Sequence, residues 1–347
     1  MVGVFPGKFL PPHRGHLTGI LRAHALCDEL IVVVCERFIE DGKLCLDAGL
    51  PYMSGKLRQR WLSRELSGMN IRVLLLDESS ANPFPDGWPI FADLVRKLVV
   101  KPFGIIFGGE TEYRDGHAKN FPGVEYIVLD PSRSKWNISA TEIRSNPYKN
   151  WDFIVGAARP FFAKRVLITG TESCGKTTLV KKLAKVFYTS WSEEAGRTYQ
   201  ERFIGNEGST FTLEDFNRIA HLQYEQDQSA LETANRVCFF DTDAVVTRFF
   251  SDFFMGEIAD RVDGFIDPSK YDLVIALKPT VKWVDDGMRD TGKQEVRDSN
   301  FEKLMFTYSK FGFDVSKFVI IDSPNYYERL ETSIKEIEKI LAKEATH

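Results

Sequence analysis

The stretch that decides the fold of the second half of the chain is Gly170-Thr171-Glu172-Ser173-Cys174-Gly175-Lys176-Thr177. It fits the pattern G-x-x-x-x-G-K-[ST] and lies between an apolar run over 165–169, typical of a strand, and a helical pattern that begins at Thr178. In such a loop the backbone N–H groups and the helix N-terminus surround phosphates, and the lysine neutralises the β- and γ-phosphate oxygens. The sequence therefore predicts a P-loop that binds ATP, with Lys176 as a catalytic cation and these residues around the phosphates: Gly170, Ser173, Gly175, Thr177 and Thr178.

A P-loop also needs a carboxylate near its magnesium ion. Asp241 directly follows the apolar run over 237–240, where such a group would emerge beside the phosphates. We therefore predict that Asp241 and the Thr177 hydroxyl bind Mg²⁺, with Asp241 also acting in catalysis. Asp243, two residues further on, precedes a helical pattern. It could contact the substrate or cap that helix, and both interpretations stay open.

Further charged residues of the second half are candidates for phosphoryl transfer. Glu194 lies where a second strand would end and could accept the proton of a substrate hydroxyl, while Arg197 could hold a phosphate or orient that carboxylate. Arg289 and Arg297 belong to a polar, glycine-containing segment that could close as a lid over the transferred phosphoryl group. A solvated charged loop is the alternative. The helical pattern over 213–234 is interpreted as a scaffold helix only.

The first half carries a second phosphate-handling pattern directly after a strand predicted over 2–6. Two histidines three residues apart, His13 and His16, lie on one face at a helix start. Helped by the positive helix end, they can donate hydrogen bonds to phosphate oxygens as charge develops on a pyrophosphate leaving group. We expect both histidines to be catalytic, because a metal pair would need a third ligand in the sequence. The residues expected to bind the nucleotide are Gly7, Lys8, Phe9 and Gly15.

A second anion-binding pattern follows the strand predicted over 124–129. In Ile138-Ser-Ala-Thr-Glu-Ile-Arg144, Ser139 is the expected N-cap of a helix with Glu142 at the third position. Ser139 and Thr141 are predicted to bind the nucleotide, and Arg144 to act in catalysis. Trp88, which precedes a helix predicted from Pro89, is either an aromatic platform for a flat cationic ring or an anchor for helix packing.

Composition places these patterns in two globular domains. The chain has 347 residues, of which 43% are hydrophobic and 27% charged, and a net charge of −4, which supplies no general attraction to nucleic acid. Apolar runs alternate with amphipathic stretches, which predicts two doubly wound α/β domains with parallel sheets, over 1–162 and 163–347. Five scattered cysteines and the lack of a membrane-length apolar run favour a reduced, cytoplasmic protein without structural zinc.

The pair His-x-Gly-His and Ser-x-Thr-x-x-Arg resembles the signature of the adenylyltransferase superfamily. With the P-loop, Glu194-Ala-Gly-Arg197, Asp241-Thr-Asp243 and Trp283-Val-Asp-Asp-Gly-Met-Arg289, the chain resembles almost end to end the bifunctional nicotinamide-mononucleotide (NMN) adenylyltransferases and ribosylnicotinamide kinases of the NadR type. The resemblance implies a Rossmann-like nucleotidyltransferase domain followed by a P-loop kinase domain. It also implies ATP, Mg²⁺, NMN, nicotinamide riboside and NAD as ligands, and two reactions: NMN with ATP gives NAD and pyrophosphate, and the riboside with ATP gives NMN and ADP.

Two alternatives remain beside this interpretation. The first domain could be a weakly active or NAD-sensing module on a riboside kinase, or it could transfer an adenylyl group to another phosphate acceptor. Repressor members of the family carry a helix-turn-helix before the first domain, whereas here the first strand begins at residue 2, so we expect no binding to nucleic acid. The basic stretch over 56–64 is interpreted first as a solvated helix face, with contact to phosphate as the alternative. No stable membrane insertion is expected, and the chain could form a homo-oligomer.

Overall fold

A computed structural model describes residues 1–130, 132, 135–205, 211–281 and 294–342 of the chain. The described chain divides into two compact units, one over Met1–Phe161 and the other from Phe162 onward. Each unit contains one five-stranded sheet whose paired strands are all parallel. The predicted fold class of two α/β domains is therefore confirmed, and we refer to the two units as the N-terminal and C-terminal domains.

The sheet of the N-terminal domain has the order β3-β2-β1-β4-β5. Its strands are β1 (Val2–Gly7), β2 (Glu29–Glu36), β3 (Ile71–Asp77), β4 (Ile105–Gly108) and β5 (Glu125–Val128). Its helices are α1 (Arg14–His24), α2 (Phe38–Asp47), α3 (Gly55–Glu65), α4 (Trp88–Val99), α5 (Arg114–Asn120) and α6 (Ala140–Ser145).

The interior strand β2 shows why this domain needs helices on both faces of its sheet. All six residues from Leu30 to Cys35 are buried. Because successive side chains of a strand point to opposite faces, both faces of the sheet must be covered at β2. Ile31 and Val33 pack in a core with helix α4 and with Phe121, the residue after α5, whereas Val32 and Val34 pack in another core with α1 and α3. The continuous apolar run in the sequence is thus the expected signature of a doubly covered strand.

The sheet of the C-terminal domain has the order β10-β9-β6-β8-β7. Its strands are β6 (Lys164–Thr169), β7 (Trp191–Ser192), β8 (Val237–Asp241), β9 (Leu273–Leu277) and β10 (Phe318–Ile321). The helices from the domain boundary onward are α7 (Arg159–Phe162), α8 (Lys176–Val186), α9 (Ala195–Tyr199), α10 (Leu213–Glu232), α11 (Ala244–Met255), α12 (Gln294–Lys310) and α13 (Tyr326–Ala342). A π-helical turn over Gln200–Ile204 continues α9.

In the core of the C-terminal domain, the strand that precedes the P-loop packs against two helices. Val166 and Ile168 of β6 pack with Leu179 and Leu183 of α8 and with Ile337 of α13. Both β8 and β9 pair with β6, so the loop that follows β6 emerges at the middle of the sheet. This position brings the ends of three strands beside the loop.

Two features of the chain differ from the sequence prediction. The edge strand β7 has only two residues, which is too short to produce a recognisable pattern. The short helix α7 at the domain boundary was not predicted, and Pro160 lies in its first turn. Proline is tolerated there because its missing N–H group would have no partner within the helix. No helix in the described part of the chain is long and apolar enough to cross a membrane.

Candidate active sites

The first candidate site is a cleft of about 590 Å³ in the N-terminal domain. Its walls include the end of β1, the start of α1 and the start of α6. The order of the sheet reverses at β1, and in open α/β sheets ligands bind beside such a point at the carboxyl ends of the strands. The structure brings all the predicted N-terminal site residues into this cleft: Gly7, Lys8, Phe9, His13, Gly15, His16, Trp88, Ser139, Thr141 and Arg144.

His13 caps helix α1 with its imidazole ring. Its Nδ1 accepts hydrogen bonds from the backbone N–H groups of Gly15, at 3.1 Å, and of His16, at 3.4 Å. A ring nitrogen that accepts carries no proton, so the neutral His13 ring is protonated at Nε2. The cap therefore sets the tautomer that can donate an Nε2–H hydrogen bond to a phosphate oxygen.

Gly15, His16 and Phe9 surround the His13 ring. A Cβ added at Gly15 would lie 3.0 Å from two atoms of the His13 ring, so glycine leaves room for the capping imidazole. The His16 ring stacks on His13 with ring centroids 3.6 Å apart, and the Phe9 ring meets His16 edge-on at 5.0 Å. Since Phe9 is only 1% exposed, its ring supports His16 from the core. The two imidazoles lie together, as their spacing predicted.

The helix start at α6 supplies the second group of anion-binding side chains. The predicted capping box is confirmed, because Ser139 Oγ accepts from the N–H of Glu142 at 3.1 Å and the Glu142 carboxylate accepts from the N–H of Ser139 at 2.7 Å. Arg144 is buried and donates to the Leu10 carbonyl at 2.5 Å and to Thr141 Oγ1 at 3.1 Å. Burial lowers the pKa of Arg144, but a guanidinium remains charged at neutral pH. Arg144 thus ties α6 to the loop that leads into α1.

Lys8 is joined to a buried ion pair. Its Nζ donates to Asp41 Oδ1 at 3.2 Å, while Arg58 donates to Asp41 Oδ2 at 2.7 Å and to the Lys8 carbonyl at 2.5 Å. Asp41 and Arg58 are both 0% exposed. The expectation of a solvated face over 56–64 was therefore wrong for Arg58, because a carboxylate on the neighbouring helix α2 compensates its charge inside the fold. No periodicity in the sequence could have paired these two residues.

Trp88 lies in an aromatic cluster that lines the cleft. Its ring stacks on Phe84 with centroids 4.3 Å apart, and the rings of Tyr113 and His117 meet it edge-on at 5.7 and 4.7 Å. Trp88 is the first residue of α4 and packs in the core with the rest of that helix. Both interpretations of Trp88 are thus compatible with its position. Tyr113 and His117 were not predicted, because no local pattern marks them.

The second candidate site is the P-loop of the C-terminal domain. The predicted context is confirmed, since the loop follows β6 and opens α8. Gly170 and Gly175 have φ angles of 147° and 90°, which favour glycine, and a Cβ at Gly170 would lie 2.6 Å from the Leu277 carbonyl oxygen. Lys176 Nζ donates to the Thr171 carbonyl at 3.0 Å, so its ammonium group is held within the loop. Ser173 belongs to the loop, and Thr178 is exposed in the first turn of α8.

Asp241 and Thr177 form the candidate magnesium site. Thr177 Oγ1 donates to Asp241 Oδ2 at 2.5 Å, and Asp241 Oδ1 is buried without a hydrogen-bond partner among the described residues. Burial raises the pKa of Asp241 to about 6, and the Glu194 carboxylate acts in the same direction. Magnesium prefers oxygen ligands and usually takes one or two carboxylates together with substrate phosphates. A free carboxylate oxygen beside a hydroxyl fits that ion.

Glu194 lies close enough to the P-loop to raise the pKa values of Lys176 and Asp241. Burial acts to lower the pKa of Lys176, but acidic groups around it, Glu194 and Asp241 among them, outweigh that effect and raise it. Glu194 occupies the N-cap position of α9, yet its side chain makes no capping hydrogen bond. Arg197 is exposed in the last turn of α9, and its positive charge acts to lower the pKa of Asp241. The structure therefore gathers the predicted carboxylates and cations beside the loop.

Arg297 differs from the predicted lid residue in its location. It lies in the first turn of α12, is buried, and donates to the carbonyls of Val281 at 3.2 Å and Ser173 at 3.4 Å. The expectation of an arginine in a polar loop was wrong for Arg297, because the helix begins at Gln294 and directs this residue toward the P-loop. Arg289 lies outside the described residues.

Arg329 of α13 is a P-loop contact that sequence reasoning missed. It is buried and donates to the carbonyls of Cys174 and Lys278 and to Thr280 Oγ1, the last two at 2.8 and 2.9 Å. Arg329 therefore joins the P-loop at Cys174 to the segment that follows β9. No signal in an ordinary amphipathic helix distinguishes such an arginine from a surface residue.

Asp243 has a position that favours the capping interpretation. Its Oδ1 accepts from the N–H groups of Val245 at 3.1 Å and Val246 at 3.3 Å, and from the Tyr308 hydroxyl at 2.8 Å. Burial raises the pKa of Asp243 to about 6. Since the Tyr308 hydroxyl also bonds Thr169 at the end of β6, Asp243 joins α11 to the P-loop strand. Of the two interpretations, the structure supports the helix cap, and a contact of Asp243 with the substrate stays a prediction.

Comparisons with known proteins agree with this two-site architecture. Residues 165–329 match a family model described as an AAA domain. The chain is 34% identical over 314 residues to the trifunctional NAD biosynthesis/regulator protein NadR of Salmonella typhimurium, which covers 88% of this chain and 75% of that protein. The NadR of Escherichia coli is 33% identical over 312 residues with the same coverage.

Solved structures show that the resemblance extends to the fold of the whole chain. A crystal structure of a NadR protein in complex with NR has a TM-score of 0.80 and 27% identity, and another, in complex with NAD and AMP-PNP, has a TM-score of 0.80 and 26% identity. Both cover 100% of this chain and 97% of the related chain. The chain belongs to the NadR family of NAD biosynthesis proteins.

Proposed function

We propose that the protein is a bifunctional transferase of NAD biosynthesis. The N-terminal domain joins NMN to ATP and forms NAD and pyrophosphate, and the C-terminal domain transfers the γ-phosphoryl group of ATP to nicotinamide riboside and forms NMN and ADP. The observation that carries this proposal is that each domain of this NadR-family chain has its own cluster of residues suited to bind phosphate, in the N-terminal cleft and at the P-loop. The NR, NAD and AMP-PNP bound to the two related structures support the choice of ligands.

Adenylyl transfer needs positioning and positive charge more than covalent chemistry. An oxygen of the NMN phosphate attacks the α-phosphorus of ATP, and the bond from that phosphorus to the bridging oxygen breaks, so that pyrophosphate leaves. Hydrogen bonds from His13 Nε2 and His16, together with the charges of Lys8 and Arg144, stabilise the negative charge that develops on the leaving group. The aromatic cluster around Trp88 accepts the flat cationic nicotinamide ring.

Riboside phosphorylation follows the same logic at the P-loop. The substrate hydroxyl attacks the γ-phosphorus, its proton passes to the Glu194 carboxylate, and ADP leaves. Lys176 and the loop N–H groups hold the phosphates, and Arg297 adds positive charge beside the loop. Thr177 and Asp241 would hold Mg²⁺, which neutralises phosphate charge when bound.

The assignment of each activity to a domain and of the protein to a compartment belongs to the same proposal. Adenylyl transfer is assigned to residues 1–162 and phosphorylation to residues 163–347, with boundaries close to the two compact units. A cytoplasmic location is supported by five cysteines that are all free.

The proposal is tested with the purified chain and two substrate pairs. NMN with ATP should give NAD and pyrophosphate in equal amounts, and nicotinamide riboside with ATP should give NMN and ADP. Phosphopantetheine and other nucleosides serve as comparison acceptors. Protein that binds NAD but forms none from NMN would establish the alternative of a nucleotide-sensing first domain, and preference for another acceptor would overturn the assigned substrate.

A further inference from the structure

A buried glutamine, Gln223, holds the backbone on both sides of Glu194. Its Oε1 accepts from the N–H of Ala195 at 2.9 Å, and its Nε2 donates to the carbonyl of Glu193 at 3.1 Å. An N–H group only donates and a carbonyl only accepts, so these two bonds determine the orientation of the amide. The Gln223 side chain thus forms hydrogen bonds with the backbone of the residues before and after Glu194.

The chain needs such support at this point because its pairing with the sheet has just ended. β7 pairs with β8 only through Trp191 and Ser192. Ala195 then begins α9, and the first N–H groups of a helix lack partners within it. The Gln223 side chain supplies the partner for Ala195, while the Glu194 side chain makes no capping bond. The cap position is therefore stabilised without using the Glu194 carboxylate.

Gln223 is itself immobilised by a buried polar network. Its Nε2 also lies 3.0 Å from Ser192 Oγ and 2.9 Å from Asp227 Oδ1, and Lys270 Nζ donates to Asp227 Oδ2 at 2.6 Å. Gln223 and Asp227 are 3% and 1% exposed, and they lie four residues apart on the same face of α10. Such fully buried hydrogen bonds restrict the side chains that make them. Our interpretation of α10 as a scaffold helix only was therefore incomplete.

We propose that Gln223 is the positioning residue for Glu194 in riboside phosphorylation, and that Asp227 and Lys270 hold Gln223 in place. This inference rests on the proposed function, in which Glu194 accepts the proton of the substrate hydroxyl. Gln223 contacts the backbone of the adjoining residues and acts only through the placement of Glu194. A small displacement of a catalytic group costs a large part of its effect on the rate.

The test is a double-mutant cycle between Gln223→Met and Glu194→Gln in the full chain. Gln223→Met alone should lower kcat for riboside phosphorylation about 10-fold or more, in line with the typical worth of a general base, while KM for ATP and NAD formation from NMN stay within about twofold. In the Glu194→Gln background the same substitution should change the residual rate less than about twofold, because the group that Gln223 positions is gone. The matched control is Gln228→Met on the exposed face of α10, which should retain the wild-type kcat.

The outcomes separate this inference from the proposed function. Wild-type kcat for Glu194→Gln would contradict the proposed role of Glu194 itself. A severe loss in Glu194→Gln, combined with either no effect of Gln223→Met or an equal loss in both backgrounds, would overturn the role of Gln223 and leave Glu194 in place. If Gln223→Met loses AMP-PNP binding at the P-loop, the C-terminal domain is misfolded, and the cycle is repeated with Gln223→Glu. That variant keeps an acceptor for Ala195 but has no amide N–H for Glu193, and it is judged by the same criteria.

Discussion

At the scale of the residue, the histidines of the N-terminal domain show how one ring can have a structural and a chemical role. His13 uses Nδ1 to cap α1, which leaves Nε2 of the neutral ring to carry the proton that we propose it donates to a phosphate oxygen. His117 shows the opposite arrangement, because its Nδ1 is buried without a hydrogen-bond partner in the described chain. Its ring stacks on Tyr126 with centroids 4.1 Å apart. Burial lowers the pKa of His117 to about 4, which keeps the ring neutral beside the cleft that we propose binds the cationic nicotinamide ring.

The pKa of His117 predicts a pH-dependent stability of the N-terminal domain. Its pKa falls from 6.5 to about 4 on folding, so the unfolded chain binds more protons between these values. The contribution is complete above about pH 6.5 and is lost as the pH falls through about 4, with a size of up to ~3 kcal/mol. Urea unfolding of wild type and His117→Phe from pH 4 to 7 measures it. A wild-type midpoint that changes with pH no more than that of the variant would contradict this account.

At the scale of the element, helix α5 supports the aromatic cluster through a glycine. A Cβ added at Gly116 would overlap the Trp88 indole. Gly116→Ala should therefore displace the ring, raise KM for NMN several-fold and destabilise the domain by about 1–3 kcal/mol. Steady-state kinetics and thermal unfolding check both effects. Gly42→Ala in α2 is the control, since the nearest atom to its Cβ would be 4.0 Å away on Tyr52. It should leave KM for NMN unchanged and should stabilise the domain slightly, by up to about 1 kcal/mol, because alanine favours a helix over glycine.

Helix α3 provides a second prediction at this scale, through its buried cation. Arg58→Met would leave the Asp41 carboxylate buried with only the Lys8 ammonium as a charged partner, which should cost about 3–5 kcal/mol of the unfolding free energy. Arg60, two residues further on, is exposed, and Arg60→Met should change stability by less than about 0.5 kcal/mol. Chemical denaturation of both variants compares them directly. Equal losses for the two arginines would show that the buried pair has no special importance.

At the scale of the whole molecule, two separate sites predict two separable activities. Lys176→Ala removes the P-loop ammonium and should lower riboside phosphorylation by about 10²-fold or more, while NAD formation from NMN stays within about twofold. His16→Ala should produce the reverse pattern. Assays of both reactions on both variants, with wild type as the reference, make the comparison. Loss of both activities from either substitution would argue against independent sites.

Local sequence determined those parts of the molecule whose physical cause is local. The apolar runs over 165–169 and 237–240 predicted strands, and the capping box at Ser139 predicted the start of α6, because both signals depend on neighbouring residues. The P-loop was equally clear, since its glycines, Lys176 and Thr177 act through one short turn. The motifs that contain His16 and Arg144 resembled the signature of one superfamily, and the structure places both residues in one cleft.

Tertiary structure alone decided which distant side chains meet. Asp41 with Arg58, Arg329 with the P-loop and Gln223 with the backbone around Glu194 are separated by many residues, and each looks like an ordinary helix residue in the sequence. Tertiary packing also placed Arg297 at the start of α12 instead of in the expected loop, and it gave the capping carboxylate of Asp243 a distant partner in the Tyr308 hydroxyl. Periodicity in the sequence indicates which face of a helix is apolar. The partner of a buried polar side chain depends instead on how a distant element packs against it, and only the folded chain determines that packing.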